Sequence, residues 1–339
     1  MHPNARLCAI TVLLSAARIA PAWGWGAEGH EAIAATAAAN LKTTGRAGVA
    51  KILGDGQLES VATWPDLVRD ALKHQGALKN DPEAKEFNHD HPTNREWHFV
   101  DLPLGIETYD ATAAGAGPDD VVHGIERCIT ILETASEDPR FTKLEALRFL
   151  VHLVGDIHQP LHASTGYYTV KGTGAHAKAT LVTDPTKAKG KDVYEDVGGN
   201  DLCLRDPAAG GTCTELHAHW DADLVKKVAS SVPKLVEKLE GDLASEMWKA
   251  AHADAIAKAD GDYHHWPEIW AIQSVHAARE AYKGIAFENV LKQSKKTHSI
   301  TLRVQLPGTY NDDQHDRVET QLAAAAAHLE QLMDALQWK

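Results

Sequence analysis

Apolar residues recur with a helical period through most of the chain. Between 143 and 158, Leu144, Leu147, Leu150, Val151 and Val154 are spaced by three or four residues, which places their side chains on one helix face. Similar patterns predict helices elsewhere, and the last of them is rich in alanine and leucine. The predicted helices cover 28–40, 57–72, 118–136, 143–158, 215–229, 231–240, 243–260, 267–283 and 315–337.

Two stretches interrupt this pattern. Residues 163–212 contain short β-prone runs at Tyr167–Val170 and Ala179–Thr183, separated by glycines and lysines, and they predict a β-hairpin or a long loop. Residues 73–117 are also expected to be rich in loops. Loops of this length are uncommon unless they have a function. Because no Gly/Ser linker and no repeat divides the chain, we expect an all-α class, with a single mainly helical domain that carries one insertion.

The first 24 residues have the features of a secretory signal peptide. They contain two arginines, no acidic residue and an apolar run from Leu7 to Leu14. Ala22-Trp23-Gly24 places small residues at positions −3 and −1 of a cleavage site. We expect 1–24 to be removed, 25–339 to form the domain, and the protein to be secreted or periplasmic. Arg18 interrupts the apolar stretch, so a retained N-terminal anchor stays open as the alternative, and no later segment is predicted to span a membrane.

Charge and cysteine content constrain how the protein could bind a ligand. The 339 residues carry a formal net charge of −13, and an acidic surface repels polyanions, so any phosphate must be bound locally. Bound zinc could reverse the local charge. In an exported protein Cys203 and Cys213 are a plausible disulfide, whereas Cys128 lies in an apolar helix and is expected to be a buried thiol. No C-x-x-C pair occurs, so a zinc site would have to use histidine and aspartate.

Two His/Asp pairs have the spacing of metal ligands. His152 and Asp156 lie four residues apart on one predicted helix and can bind one ion together, and His162 follows just after Pro160 ends that helix. His217 and Asp221 repeat the spacing, whereas His219 between them points elsewhere and is not expected to be a ligand. Imidazole and carboxylate suit an open, catalytic zinc site. The alternative for a single pair is a capping histidine beside a solvated aspartate.

Three further strings are weaker when taken alone. Trp64-Pro65-Asp66, followed by Arg69, and Trp97-His98-Phe99-Val100-Asp101 could each be ordinary packing around a tryptophan. The string from Trp25 to His30 becomes informative only after cleavage. Trp25 would then carry a free α-amino group, which can bind a metal together with its own carbonyl and with His30.

In this order the strings resemble the trinuclear zinc nuclease family of the S1/P1 type, which shares its fold with bacterial zinc phospholipase C. The resemblance covers nearly the whole of 25–339. It implies three zinc ions bound by nine residues. The first site would use Asp66, His98, His152 and Asp156, the second His162, His217 and Asp221, and the third Trp25 (amine and carbonyl), His30 and Asp156.

The resemblance also implies the reaction. A hydroxide shared by two zinc ions would attack phosphorus, and the enzyme would cleave single-stranded DNA and RNA to 5′-phosphorylated products and act on 3′-nucleotides. Asp156 would bridge two ions, and Arg69 would hold the phosphate. Phe99 would stack on a base and Asp101 would hydrogen-bond its edge, while Asn200 would support the site. A core aromatic and a helix cap are the alternative roles for Phe99 and Asp101.

Some positions depart from the family pattern or stay outside it. Glu215 stands where the family has asparagine, and Asp196-Val197 stand where a basic residue is expected before Gly198-Gly199-Asn200. We expect Asn88–His91 to be a surface loop, and Tyr263–Trp266 to pack around a helix start. Five lysines of the insertion could contact a nucleic-acid backbone, or simply be a solvated loop tip: Lys171, Lys178, Lys187, Lys189 and Lys191.

Two rival functions remain at this point. A zinc phospholipase C is disfavoured because Asp221 stands where that branch tends to have glutamate, and because Phe99 is present. A non-catalytic zinc-binding protein is disfavoured because all nine ligand positions and Arg69 are filled. We expect a monomer with nucleic acid or nucleotides as substrate and no stable protein partner.

Overall fold

A computed structural model of the chain describes residues 24–173, 176–205 and 213–339. Helices dominate, so the mainly helical architecture predicted from the apolar periodicity is confirmed. Residues 1–23 of the predicted signal peptide lie outside the described residues, and only Gly24 is inside them. Among the described residues, no helix combines the length and apolarity that a membrane crossing requires.

The helices, as the structure has them, follow the predicted order with some differences at their ends. They are α1 Gly26–Asn40, α2 Thr43–Leu53, α3 Trp64–Leu72, α4 Pro82–Asp90, α5 Val121–Glu133, α6 Lys143–Ile157, α7 Pro160–Ala163, α8 Leu216–Ala218, α9 Val225–Val228, α10 Val232–Ala244, α11 Glu246–Ala251, α12 Ala253–Ile256, α13 Trp266–Tyr282 and α14 Tyr310–Ala335. Short 3₁₀ turns cover Leu58–Val61, Glu96–His98, Pro185–Lys187 and Tyr263–His265, and a π-helical turn covers His219–Leu224.

Three of these helices, α2, α4 and α7, were not predicted from the sequence, and α7 is a single short turn that begins at Pro160. Helix α2 contains two glycines, and α4 buries little apolar surface beyond Ala84 and Phe87, so neither has a strong helical period. The expectation that Asn88–His91 form a surface loop is wrong for its first part. Asn88 belongs to α4, is buried, and donates a hydrogen bond to the Val68 carbonyl at 2.9 Å.

Helix α6 is the central element of the fold. It begins with a capping box in which the Thr142 hydroxyl accepts from the Glu145 backbone N–H and the Glu145 carboxylate accepts from the Thr142 backbone N–H. Nearly all of its side chains are buried, because α5, α1 and α14 pack around it. A helix apolar on all sides has to lie inside a domain. His152 and Asp156 on this helix are therefore held in the interior.

Strands form a layer at one side of the helices. They are β1 Leu102–Pro103, β2 Ser164–Thr165, β3 Tyr167–Lys171, β4 Lys178–Leu181, β5 Val193–Glu195, β6 Leu202–Arg205, β7 Thr214–Glu215, β8 Ala286–Ser294 and β9 Ser299–Gln305. Strands β1 and β2 pair in parallel, and the larger sheet has the order β4-β3-β5-β9-β6-β7 with β8 also paired to β9. The predicted hairpin in 163–212 is confirmed as the antiparallel pair β3–β4.

The hairpin β8–β9 was missed, although β9 carries a clear signal. Ile300, Leu302 and Val304 are buried and alternate with more exposed residues, the period of a strand with one buried face. Strand β9 lies between β5 and β6, so the insertion and this hairpin share one sheet. The predicted disulfide is confirmed: it joins Cys203 of β6 to Cys213, and the two Cα atoms are 5.4 Å apart. Cys128 is a buried free thiol, as expected.

Candidate metal centre

Three elements bring four predicted ligands to one point beneath the surface. Helix α3 supplies Asp66, the 3₁₀ turn before Phe99 supplies His98, and α6 supplies His152 and Asp156. Asp156 Oδ2 lies 2.9 Å from His98 Nδ1 and 3.1 Å from His152 Nε2. Asp66 Oδ1 lies 3.6 Å from His152 Nε2 and 3.9 Å from His98 Nδ1. Ligand atoms of a tetrahedral zinc ion are about 3.4 Å apart, so this spacing fits one ion.

A second group lies at the end of α6. His162 follows in α7, His217 comes from α8, and Asp221 belongs to the π-helical turn. His162 Nε2 is 3.0 Å from His217 Nε2, which is 3.4 Å from Asp221 Oδ2. Single π-turns within helices occur frequently at functional sites. The turn here places His217 and Asp221 on the same side, as their spacing of four predicted.

A third group of candidate ligands lies at the start of α1. His30 Nε2 lies 3.3 Å from Asp156 Oδ1, so the two oxygens of Asp156 face different groups of ligands. Trp25 is fully buried with a left-handed φ of 42°, and its carbonyl accepts the first helical hydrogen bond from Gly29 at 3.1 Å. A Cβ placed on Gly24 would lie 1.9 Å from Asp156 Oδ1. The backbone that enters α1 therefore runs directly against this carboxylate.

Backbone carbonyls orient three of the imidazoles. Nδ1 of His152 lies 2.7 Å from the Ala62 carbonyl, Nδ1 of His162 lies 2.8 Å from the His98 carbonyl, and Nδ1 of His217 lies 2.6 Å from the Gly198 carbonyl. A carbonyl only accepts, so each Nδ1 carries the proton and each Nε2 presents a lone pair to the centre. Such hydrogen bonds behind the ligand are usual at metal sites.

The centre leaves several buried polar atoms without a hydrogen-bond partner among the described residues. They include Asp156 Oδ1, Asp221 Oδ2 and both ring nitrogens of His30. A buried polar atom without a partner costs about 1–3 kcal/mol, and more when it is charged. Inward lone pairs at 3.0 Å, as between His162 and His217, also repel each other. Cations between these atoms would remove both penalties, so the donor set fits a metal centre.

The neutral state of two of the histidines agrees with that conclusion. Burial lowers the pKa of His98 and of His217 to about 4, so both rings are neutral at neutral pH, which is the state that binds metals. Burial raises the pKa of Asp221 to about 8, so a cation beside it is needed to keep it ionised. The pKa of Asp156 lies well below its ordinary value. Burial acts to raise this pKa, but the interactions of the carboxylate with His152 and His162 lower it by more.

An open cavity of about 400 Å³ adjoins the centre. The four residues predicted to contact substrate all line it: Arg69, Phe99, Asp101 and Asn200. Arg69 is mostly buried, and its Nη1 lies 2.8 Å from Asp66 Oδ1, which ties the guanidinium to the first group of ligands. Three charged lining residues were not predicted to contact substrate: Lys73, Arg95 and Glu215. Lys73 follows Arg69 by four residues, and Arg95 precedes His98 by three, so helical spacing from known site residues could have found both.

Phe99 and Asp101 do not have the alternative roles of core aromatic and helix cap. Phe99 is only half-buried and faces the cavity. The N-cap of α5 is Asp120, whose carboxylate accepts from the His123 backbone N–H. Burial, reinforced by Glu195 and Asp196, raises the pKa of Asp101 well above its ordinary value.

Asp196 stands where the family pattern predicts a basic residue. Its carboxylate holds the turn beside the second group of ligands. The turn contains Val197, Gly198 and Gly199 with φ of 55°, 58° and 78°, and it presents the Gly198 carbonyl to His217. Glycine adopts such left-handed angles without strain. The Asp196 carboxylate accepts five hydrogen bonds, from Thr165 Oγ1 (2.9 Å), Gly166 N (3.2 Å), Tyr168 OH (2.8 Å), Gly199 N (3.0 Å) and Tyr282 OH (2.9 Å).

Other residues with ligand chemistry lie outside the centre. His219 pairs with Asp223 at 2.9 Å and with Asn311 at 2.8 Å, in agreement with its exclusion as a ligand. Trp266 is buried at the start of α13, as expected for packing. None of the five insertion lysines lines the cavity beside the centre, and Lys187 pairs with Asp184 at 3.0 Å. This favours the solvated-loop interpretation of that segment.

Comparison with known proteins finds similarity to one family of nucleases. The family described as S1/P1 Nuclease matches residues 25–337. Nuclease S1 of Aspergillus oryzae is 28% identical over 249 residues, which cover 70% of this chain and 68% of that protein. Endonuclease 2 of Arabidopsis thaliana is 25% identical over 282 residues, covering 79% of this chain and 80% of that protein. Endonuclease 4 of the same plant is 25% identical over 306 residues, covering 82% and 81%.

Proposed function

The chain belongs to the S1/P1 nuclease family, and from this premise we propose that it hydrolyses phosphodiester bonds of single-stranded DNA and RNA at a three-zinc centre. It would release 5′-phosphorylated products and also act on 3′-nucleotides. The observation that carries the proposal is Asp156, whose two oxygens face His98 and His152 on one side and His30 on the other.

The clustering of buried histidine and aspartate donor atoms supports the proposed ligands, and in this cluster His30 lies close to Asp66 and His152 as well as to Asp156. Zinc is favoured over other metals because the donors are imidazole nitrogens and carboxylate oxygens with a spacing that suits tetrahedral coordination. The first ion would be held by Asp66, His98, His152 and Asp156, the second by His162, His217 and Asp221, and the third by His30, Asp156 and the amine and carbonyl of Trp25.

The third site depends on processing. We propose that a signal peptide of residues 1–24 directs export and that its removal frees the Trp25 amine. The backbone at Gly24 lies against Asp156 Oδ1, so a chain that begins at Trp25 would present its amine close to that oxygen. The enzyme would then gain its full centre only after leaving the cytoplasm.

Bound zinc would supply Lewis-acid activation of a water nucleophile and stabilisation of the charge that develops on the phosphate. The residues of the chain supply position. Arg69, held by Asp66, directs its remaining N–H groups toward a phosphate in the cavity. Phe99 offers a ring face for an unstacked base, and Asp101 offers hydrogen bonds to its edge. Asn200 donates to the Val197 carbonyl at 2.8 Å and supports the rim of the cavity.

The acidic composition is compatible with this substrate. Three aspartates of the centre would be outweighed by three divalent ions, which gives a positive focus in a chain of net charge −13. Affinity for phosphate would then reside mainly in the centre rather than in a basic surface.

The test is an assay of the purified chain that begins at Trp25. Single-stranded DNA, RNA, a 3′-nucleotide and a choline phospholipid are compared, with zinc and with a chelator. We expect hydrolysis of the first three substrates only, and its loss on chelation. Asp156→Asn should abolish it, whereas Asp312→Asn, which changes an exposed carboxylate, should not. Phospholipid turnover without nuclease activity would establish the phospholipase alternative instead.

A further inference from the structure

Two cationic side chains, Lys73 and Arg95, line the cavity beside the centre. Both are exposed, and neither side chain has a hydrogen-bond partner or an ion-pair partner within 4 Å in the parts of the chain that the structure describes. Asp70 lies near Lys73, but it is buried and also lies 3.9 Å from Arg69. The chain has 47 acidic and 34 basic residues, and these two cations lie together on the rim of one cavity.

Both cations are placed by elements that also carry the centre. Lys73 ends α3 and follows Arg69 by four residues, so the two side chains share a helix face about one turn, or roughly 5.4 Å, apart. Arg95 is the N-cap of the 3₁₀ turn that contains His98. The two residues therefore line the same cavity as Arg69, one helical turn away from residues of the proposed reaction site.

The cavity continues past Arg95 into a second one of about 430 Å³. Arg95, Phe99, Asp101 and Val197 line both, so together they form one groove. A strand whose base stacks on Phe99 would bring a neighbouring phosphate toward the rim that carries Arg95.

We propose that Lys73 and Arg95 form a subsite for the phosphate adjacent to the one that is cleaved, and that they set the preference for polynucleotides over mononucleotides. This inference rests on the proposed nuclease function. A guanidinium and an ammonium on an exposed rim suit a phosphodiester, which stays hydrated and negatively charged at every position along a strand. A dinucleotide, which has a single internucleotide phosphate, cannot occupy the subsite while that phosphate is being cleaved.

The experiment compares substrates of different length on the processed, zinc-loaded chain. The double variant Lys73→Ala/Arg95→Ala should lower kcat/KM for a single-stranded decanucleotide by about tenfold. It should leave kcat/KM for a dinucleoside monophosphate within about twofold of the unchanged protein, since no flanking phosphate is present. Lys73→Arg/Arg95→Lys, which keeps both charges, should restore most of the decanucleotide rate. Lys295→Ala/Lys296→Ala, which removes two exposed charges from the turn between β8 and β9, is the matched control.

Equilibrium binding supplies a second readout that does not depend on turnover. A fluorescent phosphorothioate decanucleotide, which resists cleavage, is titrated at several salt concentrations. The log–log salt slope of the double variant should be smaller by about 1.4, or about 0.7 for each lost contact with a single strand. An equal loss on dinucleotide and decanucleotide, or an unchanged salt slope, would overturn the subsite. A chain that binds with this salt dependence but cleaves nothing would instead overturn the nuclease proposal and leave the subsite in place.

Discussion

Gln159 donates its side-chain amide to Asp221 Oδ1 at 2.7 Å, which joins the end of the central helix to the second group of ligands. The Gln159 side-chain oxygen accepts from the Leu161 backbone N–H at 2.6 Å, so the amide is held at both ends. Asp221 Oδ2 is left without a hydrogen bond among the described residues and faces His217. Gln159 thus decides which oxygen of Asp221 can serve as a ligand.

Substituting Gln159→Leu should therefore weaken zinc binding at the second site. The side chain keeps a similar volume but loses the hydrogen bond that orients Asp221, and loss of such an outer contact typically costs 10–100-fold in metal affinity, about the range expected here. Competition with a calibrated chelator measures the affinity. Gln331→Leu is the control. It removes a hydrogen bond that the Gln331 side-chain amide donates to the Ile256 carbonyl at 3.2 Å, far along α14. Unchanged affinity in Gln159→Leu would show that Asp221 is oriented by other contacts.

The number of bound zinc ions should distinguish the bridging aspartate from a terminal one. Because the oxygens of Asp156 face two groups of ligands, Asp156→Asn should release about two of three zinc ions. Asp221 faces one group, so Asp221→Asn should release about one. Elemental analysis of dialysed protein measures both, and circular dichroism confirms that each variant is folded. Equal losses in the two variants would contradict the bridging role.

A single extra residue before Trp25 should remove the third zinc ion. The added peptide bond would replace the free amine, and the backbone at this point has no space because it lies against Asp156 Oδ1. We expect most of the activity to be lost, with zinc content falling by about one ion per chain. An N-terminal tag that a protease removes to leave Trp25 provides the control, and its removal should restore both activity and zinc. Full activity in the extended chain would exclude the amine as a ligand.

Glu195 should make stability decrease as the pH rises toward neutrality. Burial, with Asp196 nearby, raises its pKa from 4.5 to about 7. The folded protein then holds a proton that the unfolded chain has released, so this contribution is complete below pH 4.5 and is lost as the pH rises through about 7. Glu195→Gln cannot ionise, so its stability relative to the unchanged protein should improve by up to about 3 kcal/mol between pH 5 and pH 8.

Urea unfolding at the two pH values, with zinc at saturation, measures that difference. Glu96→Gln, which replaces an exposed carboxylate on the same groove, is the control and should show little change. A relative stability of Glu195→Gln that stays constant from pH 5 to pH 8 would mean that Glu195 is ionised throughout.

The sequence by itself predicted two His/Asp pairs with the spacing of metal ligands, and the central helix that carries the first of them. His152 and Asp156 are four residues apart, and any helix brings positions with that spacing to one face, whatever surrounds it. The same rule identified His217 and Asp221, although their segment contains a π-helical turn. The apolar period of α6 was equally clear, since burial on a helix imposes a period of 3.6 on the sequence. The hairpin β8–β9 was missed even though β9 alternates, and α4 was missed because it buries few apolar residues.

Only the tertiary structure decided how these local pairs combine. The meeting of His30 with Asp156 joins residues 126 positions apart, and no local period records such a contact. The hydrogen bonds from Gln159 to Asp221 and from His217 to the Gly198 carbonyl also link separate elements. The groove beside Arg95 is a space between α3, the turn at His98 and the loop at Asn200. Packing of distant elements creates such spaces, so the sequence can name the residues of the centre but not the surface on which a strand would lie.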